Sequence, residues 1–265
     1  MQLAWATDIH LNFVSTERVR LFGRFIAGTG ANALVISGDI AEADSFESTL
    51  ELLAEDLAVP IYFVLGNHDF YRGGIAEVRE RADALSRRRE LLHWLPTAGI
   101  IPLTEQTALV GHDGWADGRL GNYERSTVLL NDYFLIEDFA GLDEDERLIK
   151  LKMLGDESAV WAAPVLTEAF ERFERVVLAT HVPPFRESCW YNGVISDDNW
   201  LPHFTNHALG AALDRVMEGH PDRGLTVLCG HTHGQGVAAI RHNLLVRTGG
   251  AEYGRPRLQG LLDVP

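Results

Sequence analysis

Five short apolar runs, each followed within two residues by a side chain that can hold a metal ion or a proton, constrain this chain more than any other feature. The runs are Leu3–Thr7, Ala33–Ser37, Ile61–Leu65, Val176–Thr180 and Leu225–Cys229. Continuous runs of this length, rich in Val, Ile and Leu, fit strands covered on both faces. Between the first three lie Glu17–Gly28 and Ser45–Ala58, with apolar residues at i, i+3 and i+4, the spacing of amphipathic helices. Strand, helix, strand, helix, strand in that order predicts a mostly parallel sheet. In open sheets of this kind, ligand sites lie beyond the carboxyl ends of the strands.

What stands at those ends is chemically coherent. Asp8-Ile9-His10 follows the first run and Gly38-Asp39 the second. Gly66-Asn67-His68-Asp69 follows the third, His181 the fourth and Gly230-His231-Thr232-His233 the fifth. Asp8 and His10, and likewise His231 and His233, stand two apart, so on extended backbone both side chains of a pair point the same way. Gly38, Gly66 and Gly230 let the backbone turn where a strand stops. Four histidines, two carboxylates and one amide suffice for two metal ions. The expected sets are Asp8, His10, Asp39 and His233 for one, and Asp39, Asn67, His181 and His231 for the other. Asp39 would bridge, and a water held between two cations loses a proton near neutral pH and becomes a nucleophile. This donor mixture suits Mn, Fe, Co, Ni or Zn better than Ca or Mg, with Mn or Fe first among them. His93, His112, His203, His207, His220 and His242 lack such placement and are expected to be structural.

The ordered series DxH, GD, GNHD, lone His and GHTH, spread over residues 8 to 233, resembles the calcineurin-like metallophosphoesterase superfamily. The resemblance implies an α/β fold, a four-layer α-β-β-α sandwich with two mixed β-sheets flanked by helices. It also implies a two-metal phosphoester hydrolase whose His68 protonates the leaving oxygen or stabilises the charged phosphorane-like state, the first role being the one expected here; the neighbouring Asp69 or Asp39 could hold its tautomer. Family protein phosphatases usually carry DRG after GD and RGNHE in the third block. Here Ile40-Ala41-Glu42 follows Asp39 and Leu65 precedes Gly66. The series therefore looks more like the phosphodiesterase branch than the phosphatase branch. The alternatives are a small nuclease of the same family and a non-catalytic scaffold that has kept the fold.

The rest of the chain is read around that site as one domain over residues 1–265. Glu77–Trp94 reads as a helix. Residues 112–165 read as loop first and then as two or three helices ending near Phe173, with the acidic run Asp143–Glu146 on a solvated surface. Gly236–Ile240, Leu244–Thr248 and Leu258–Val264 suggest a hairpin-built second sheet. Segments 111–165 and 185–207 are candidate substrate-side insertions. In them Arg119 or Arg186 could hold a phosphate oxygen, and Trp190 and Tyr191 could stack on a flat group. The competing reading of those aromatics is a local mini-core or a contact with a second copy of the chain. With 38 acidic against 23 basic side chains, a net charge of −15, an extended nucleic-acid track is excluded. Cys189 and Cys229 form no disulfide framework. No apolar run approaches membrane-helix length and no leader precedes Asp8, so a cytoplasmic protein acting on a small-molecule phosphoester is expected.

Overall fold

The computed structural model describes residues 1–265. β1 (Gln2–Ala6), α1 (Thr16–Ala27), β2 (Ala33–Ser37), α2 (Phe46–Leu57), β3 (Ile61–Val64), α3 (Ile75–Arg88) and β4 (Leu92–Trp94) follow in turn. Then come α4 (Leu95–Ala98), β5 (Ile101–Pro102), β6 (Thr107–Gly111), α5 (Asp132–Leu135), α6 (Glu144–Arg172) and β7 (Arg175–Ala179). A small hairpin, β8 (Trp190–Tyr191) and β9 (Val194–Ile195), precedes α7 (Leu201–Phe204) and α8 (His207–Gly219). The chain closes with β10 (Gly224–Cys229), β11 (Gly236–Arg241), β12 (Leu244–Thr248) and β13 (Leu258–Asp263).

Two large mixed sheets result. The first has the order β13-β1-β2-β3-β4 and the second β11-β12-β10-β7-β6-β5. β1, β2, β3 and β4 run parallel, as do β6, β7, β10 and β12. Pleat alternation divides each strand between two cores. Leu3, Trp5, Val35 and Val64 of the first sheet meet Leu109, Val177, Ala179 and Leu228 of the second. The opposite faces pack outward: Ala4, Ile36 and Phe63 against Phe22, Leu50 and Leu85 of the first three helices, and Leu178, Val227 and Val246 against Leu166 of α6 and Leu213 of α8. These are the four layers α-β-β-α, two sheets flanked by helices. No helix is long and apolar enough to cross a membrane.

Three sequence expectations are corrected. The helix expected over Glu77–Trp94 ends at Arg88, and Leu92–Trp94 is the edge strand β4, paired with Ile61–Phe63. Residues 144–172 form one helix of 29 residues rather than two or three. Its acidic start is a cap: Asp143 accepts the Glu146 N–H at 2.9 Å while the Glu146 carboxylate accepts the Asp143 N–H at 3.1 Å. β13 does not join the second sheet. It crosses back and pairs antiparallel with β1, Gln2 opposite Asp263.

Candidate metal centre

All five polar strand-end loops open on one edge of the two sheets. β1, β2 and β3 deliver Asp8, His10, Asp39 and Asn67 from the first sheet; β7 and β10 deliver His181, His231 and His233 from the second. The loops are tied to one another: across the seam between the sheets the His231 N–H donates to Asp8 Oδ1 at 2.9 Å, and within the first sheet the His68 N–H donates to Asp39 Oδ1 at 2.9 Å.

Extended backbone is not what turns these side chains inward. Asp8, His10, Asp39, His231 and His233 have φ of 48°, 41°, 55°, 69° and 57°. These left-handed conformations are costly for side chains other than glycine. Of the three flanking glycines only Gly38 has a positive φ, 91°. Gly66 and Gly230 serve close approach. A Cβ on Gly66 would strike Asp39 and His181, and one on Gly230 would strike Asp8 and Thr7.

The donors fall into two groups. One oxygen or nitrogen each from Asp8, His10, Asp39 and His233 lie within 4.8 Å of one another. Within this set His10 Nε2 stands 3.1 Å from His233 Nε2 and 3.7 Å from Asp39 Oδ2. The second group centres on Asn67 Oδ1, 3.0 Å from His181 Nε2 and 2.9 Å from His231 Nδ1. Asp39 Oδ1 is 3.4 Å from His181 Nε2, so the two oxygens of one carboxylate face different groups.

Each donor of the second group is oriented from behind, as metal ligands are. The Asn67 amide nitrogen donates to Asp132 Oδ1 at 2.8 Å, which turns its oxygen to the site. Asp132 also accepts the Tyr71 hydroxyl at 2.7 Å. His181 Nδ1 faces the Ser37 carbonyl at 2.9 Å, and His231 Nε2 the His203 carbonyl at 3.0 Å.

These residues fit a cation. Burial holds His231 down at about 3, so its imidazole is neutral at neutral pH. Its one proton is committed to the His203 carbonyl, and its Nδ1 lone pair then faces the Asn67 oxygen at 2.9 Å. Two acceptors at that distance repel unless a cation lies between them. Burial likewise holds His10 at about 3, and its Nε2 faces another ring nitrogen. Burial pulls His181 down, yet Asp39 and Asp8 push it up to about 10. A proton there offsets carboxylate charge, which is the task of a bound cation.

His68 sits beside this assembly, its ring stacked on Tyr71 with centroids 4.3 Å apart. Its Nε2 is 3.4 Å from the Tyr253 hydroxyl and 4.0 Å from Asp39 Oδ2. Asp69 does not hold it. Asp69 is fully buried and accepts the N–H groups of Ile40, Ala41 and Gly66, locking two ligand loops together. His112 is buried away from the site, accepting the Gly114 N–H on Nδ1 at 3.1 Å.

The site opens into a cavity of about 550 Å³. Tyr191 lines it, but Arg119, Arg186 and Trp190 do not. Arg119 is paired with Asp117 and Asp156, and Arg186 with Asp198 at 2.8 Å. The Trp190 indole packs where a Cβ on Gly236 would lie. Sequence reasoning missed Asp132 and Tyr253. Asp132 follows no strand, so nothing in its spacing marks it. Tyr253 had a signal: β12 runs parallel to β10, so the loop after Thr248 opens on the same edge.

The comparisons with known proteins agree with this fold. A sequence model of the calcineurin-like phosphoesterase family matches residues 1–235. A UDP-2,3-diacylglucosamine hydrolase of Stenotrophomonas maltophilia is 36% identical over 86 residues, a match spanning 28% of this chain and 34% of that relative. Among solved structures, a phosphopantetheinyl hydrolase from Mycobacterium tuberculosis superposes with a TM-score of 0.59 at 15% identity, covering 94% of this chain and 89% of its own. A dimetal phosphatase from Danio rerio gives 0.56 at 15% identity, covering 94% and 87%. At that identity the structures speak for the fold alone.

Proposed function

The chain belongs to the calcineurin-like phosphoesterase family, and from that premise we propose that it hydrolyses small phosphoesters with two divalent cations, phosphodiesters before monoesters. One observation carries the reading. Asp39 turns its Oδ2 to His10 and its Oδ1 to His181, at 3.7 and 3.4 Å, so a single carboxylate belongs to both donor groups. Asp8, His10, Asp39 and His233 would hold one ion; Asp39, Asn67, His181 and His231 the other. The N- and O-rich donor set suits Mn or Fe. When bound, such a pair neutralises a phosphoryl group and acidifies a water.

The chain's own groups supply the rest. Asp132 and the carbonyls of Ser37 and His203 fix the donors of the second group before a cation arrives, which lowers the cost of assembling the site. His68 lines the cavity beside Asp39, and in this reading it protonates the leaving oxygen from Nε2. The Tyr253 hydroxyl restrains that nitrogen. No Lys or Arg lines the cavity. That favours the single charge of a diester over the double charge of a monoester, and a small molecule over a nucleic-acid track.

The test compares bis(p-nitrophenyl) phosphate with p-nitrophenyl phosphate, with Mn²⁺ and then with chelator, while metal content is counted on the same sample. Diester cleavage that chelator abolishes is expected. A protein that holds two ions per chain and cleaves neither ester would refute the reading.

A further inference from the structure

The cavity has a polar floor and an apolar wall. Asp39, Asn67, His68, His231 and His233 form the floor. Tyr191, Val194, Ile195, Trp200 and Phe204 form one wall, with Leu130 among the other lining residues. The wall is exposed where a folded chain would normally hide such groups: Val194 is 64% exposed, Tyr191 54% and Trp200 46%. Contiguous apolar surface at the mouth of a polar site marks a place where a ligand covers it.

The wall is also directional. The Phe204 ring lies 4.7 Å from the imidazole of His231, and the Trp200 ring lies 5.7 Å beyond Phe204. This row of rings runs from a second-group donor out to the surface. No Lys or Arg stands along it to receive a second anion. The charged side chains lining the cavity, besides the histidines, are Asp39, Asp132 and Asp197. Asp197 stands in the wall, its carboxylate accepting the N–H groups of Asn199 and Trp200 at 3.0 and 3.3 Å. The nearby Arg186 is already paired with Asp198. A second phosphate would meet an acid and no cation.

We propose that the row Phe204–Trp200, with Tyr191 and Val194 beside it, binds an uncharged, apolar or aromatic arm of the phosphoester, so that the substrate carries one phosphate group and a greasy alcohol rather than a di- or triphosphate. This rests on the hydrolase reading above for the phosphate end and on the wall alone for the arm. Burial of each further methylene tightens binding, so an eight-carbon arm that lies on the wall separates clearly from a one-carbon arm.

Two measurements test the arm. Calorimetric titration of the Mn²⁺-loaded protein with octylphosphonate and methylphosphonate, which are not hydrolysed, reads binding without turnover. Octylphosphonate should bind at least about ten-fold tighter, and an octyl chain bearing a phosphonate at each end should lose most of that gain. Trp200→Ala and Phe204→Ala should each shrink the octyl-to-methyl ratio. In parallel, octyl and methyl p-nitrophenyl phosphate are compared by kcat/KM, with the difference expected in KM. Equal binding of the two phosphonates, or tighter binding of the doubly charged chain, overturns the arm whatever the activity. Preferential octyl binding with no cleavage of any ester sustains the arm and removes the hydrolase reading instead.

Discussion

Left-handed backbone at Asp8, His10, Asp39, His231 and His233 is where the residue scale departs from what the residue types foretell. The gathering of these side chains at one place was legible because Asp, His and Asn recur after apolar runs. The conformation that aims them was not, because φ is set by the loop that closes around them: the Asp8 N–H bonds to Gly38 and the His10 N–H to Asp39. Asp132 was illegible for a related reason, since it touches Asn67 from a segment 65 residues away. The strain has a measurable sign. Asp39→Gly and Asp39→Ala remove the same carboxylate and leave the same His68 N–H without its acceptor. Glycine accepts a φ of 55° freely and alanine does not. In chelator, urea unfolding should therefore find Asp39→Gly more stable than Asp39→Ala by about 1 kcal/mol. The reverse order would mean that the loop relaxes when the carboxylate goes.

At the scale of elements, the buried parallel strands were the easiest to read and the edges the hardest. Ala33–Ser37 and Leu244–Thr248 fall where the apolar runs place them. β4 was absorbed into a helix because Leu91, Trp94 and Leu95 stand at i, i+3 and i+4; what makes Leu92–Trp94 a strand is the neighbouring edge of β3. α6 carries Pro164 in its interior and stays one helix. Its ring is opposed to the carbonyl of Val160, a residue 75% exposed, so water can satisfy the freed acceptor. Asp138 ties two helices to the loop between them: its carboxylate accepts the Ile75 N–H at the start of α3 at 2.6 Å and Lys150 Nζ of α6 at 2.6 Å. Burial raises its affinity for a proton, but Lys150 and the Ile75 N–H outweigh that and hold the carboxyl below its ordinary range. A carboxyl depressed in the folded state stabilises above its unfolded value near 3.8 and loses that contribution as pH falls through the folded one. Asp138→Asn should cost about 1 kcal/mol at pH 7. The wild-type advantage should vanish in acid. Parallel stability curves down to about pH 2 would show that the charge contributes nothing.

The molecule as a whole is two sheets whose shared edge supplies one site. Asp8, His10, Asp39 and Asn67 come from the first sheet and His181, His231 and His233 from the second, so ions held as proposed by both sets would pin the halves together. A ligand that binds only the folded state stabilises it in proportion to the logarithm of its free concentration. Chelation should accordingly lower Tm by several degrees, and added Mn²⁺ should restore it in a dose-dependent way. A Tm indifferent to both would mean that the sheets hold their alignment without help from the site. The seam also bears on the life of the protein in a cell. A chain that opens more often when its ions are withdrawn is exposed more often to proteolysis, and one or two kcal/mol can change abundance several-fold. Under metal starvation the protein would then be cleared rather than stockpiled in an idle form. Its level, and not only its turnover number, would report how much metal the cell can spare.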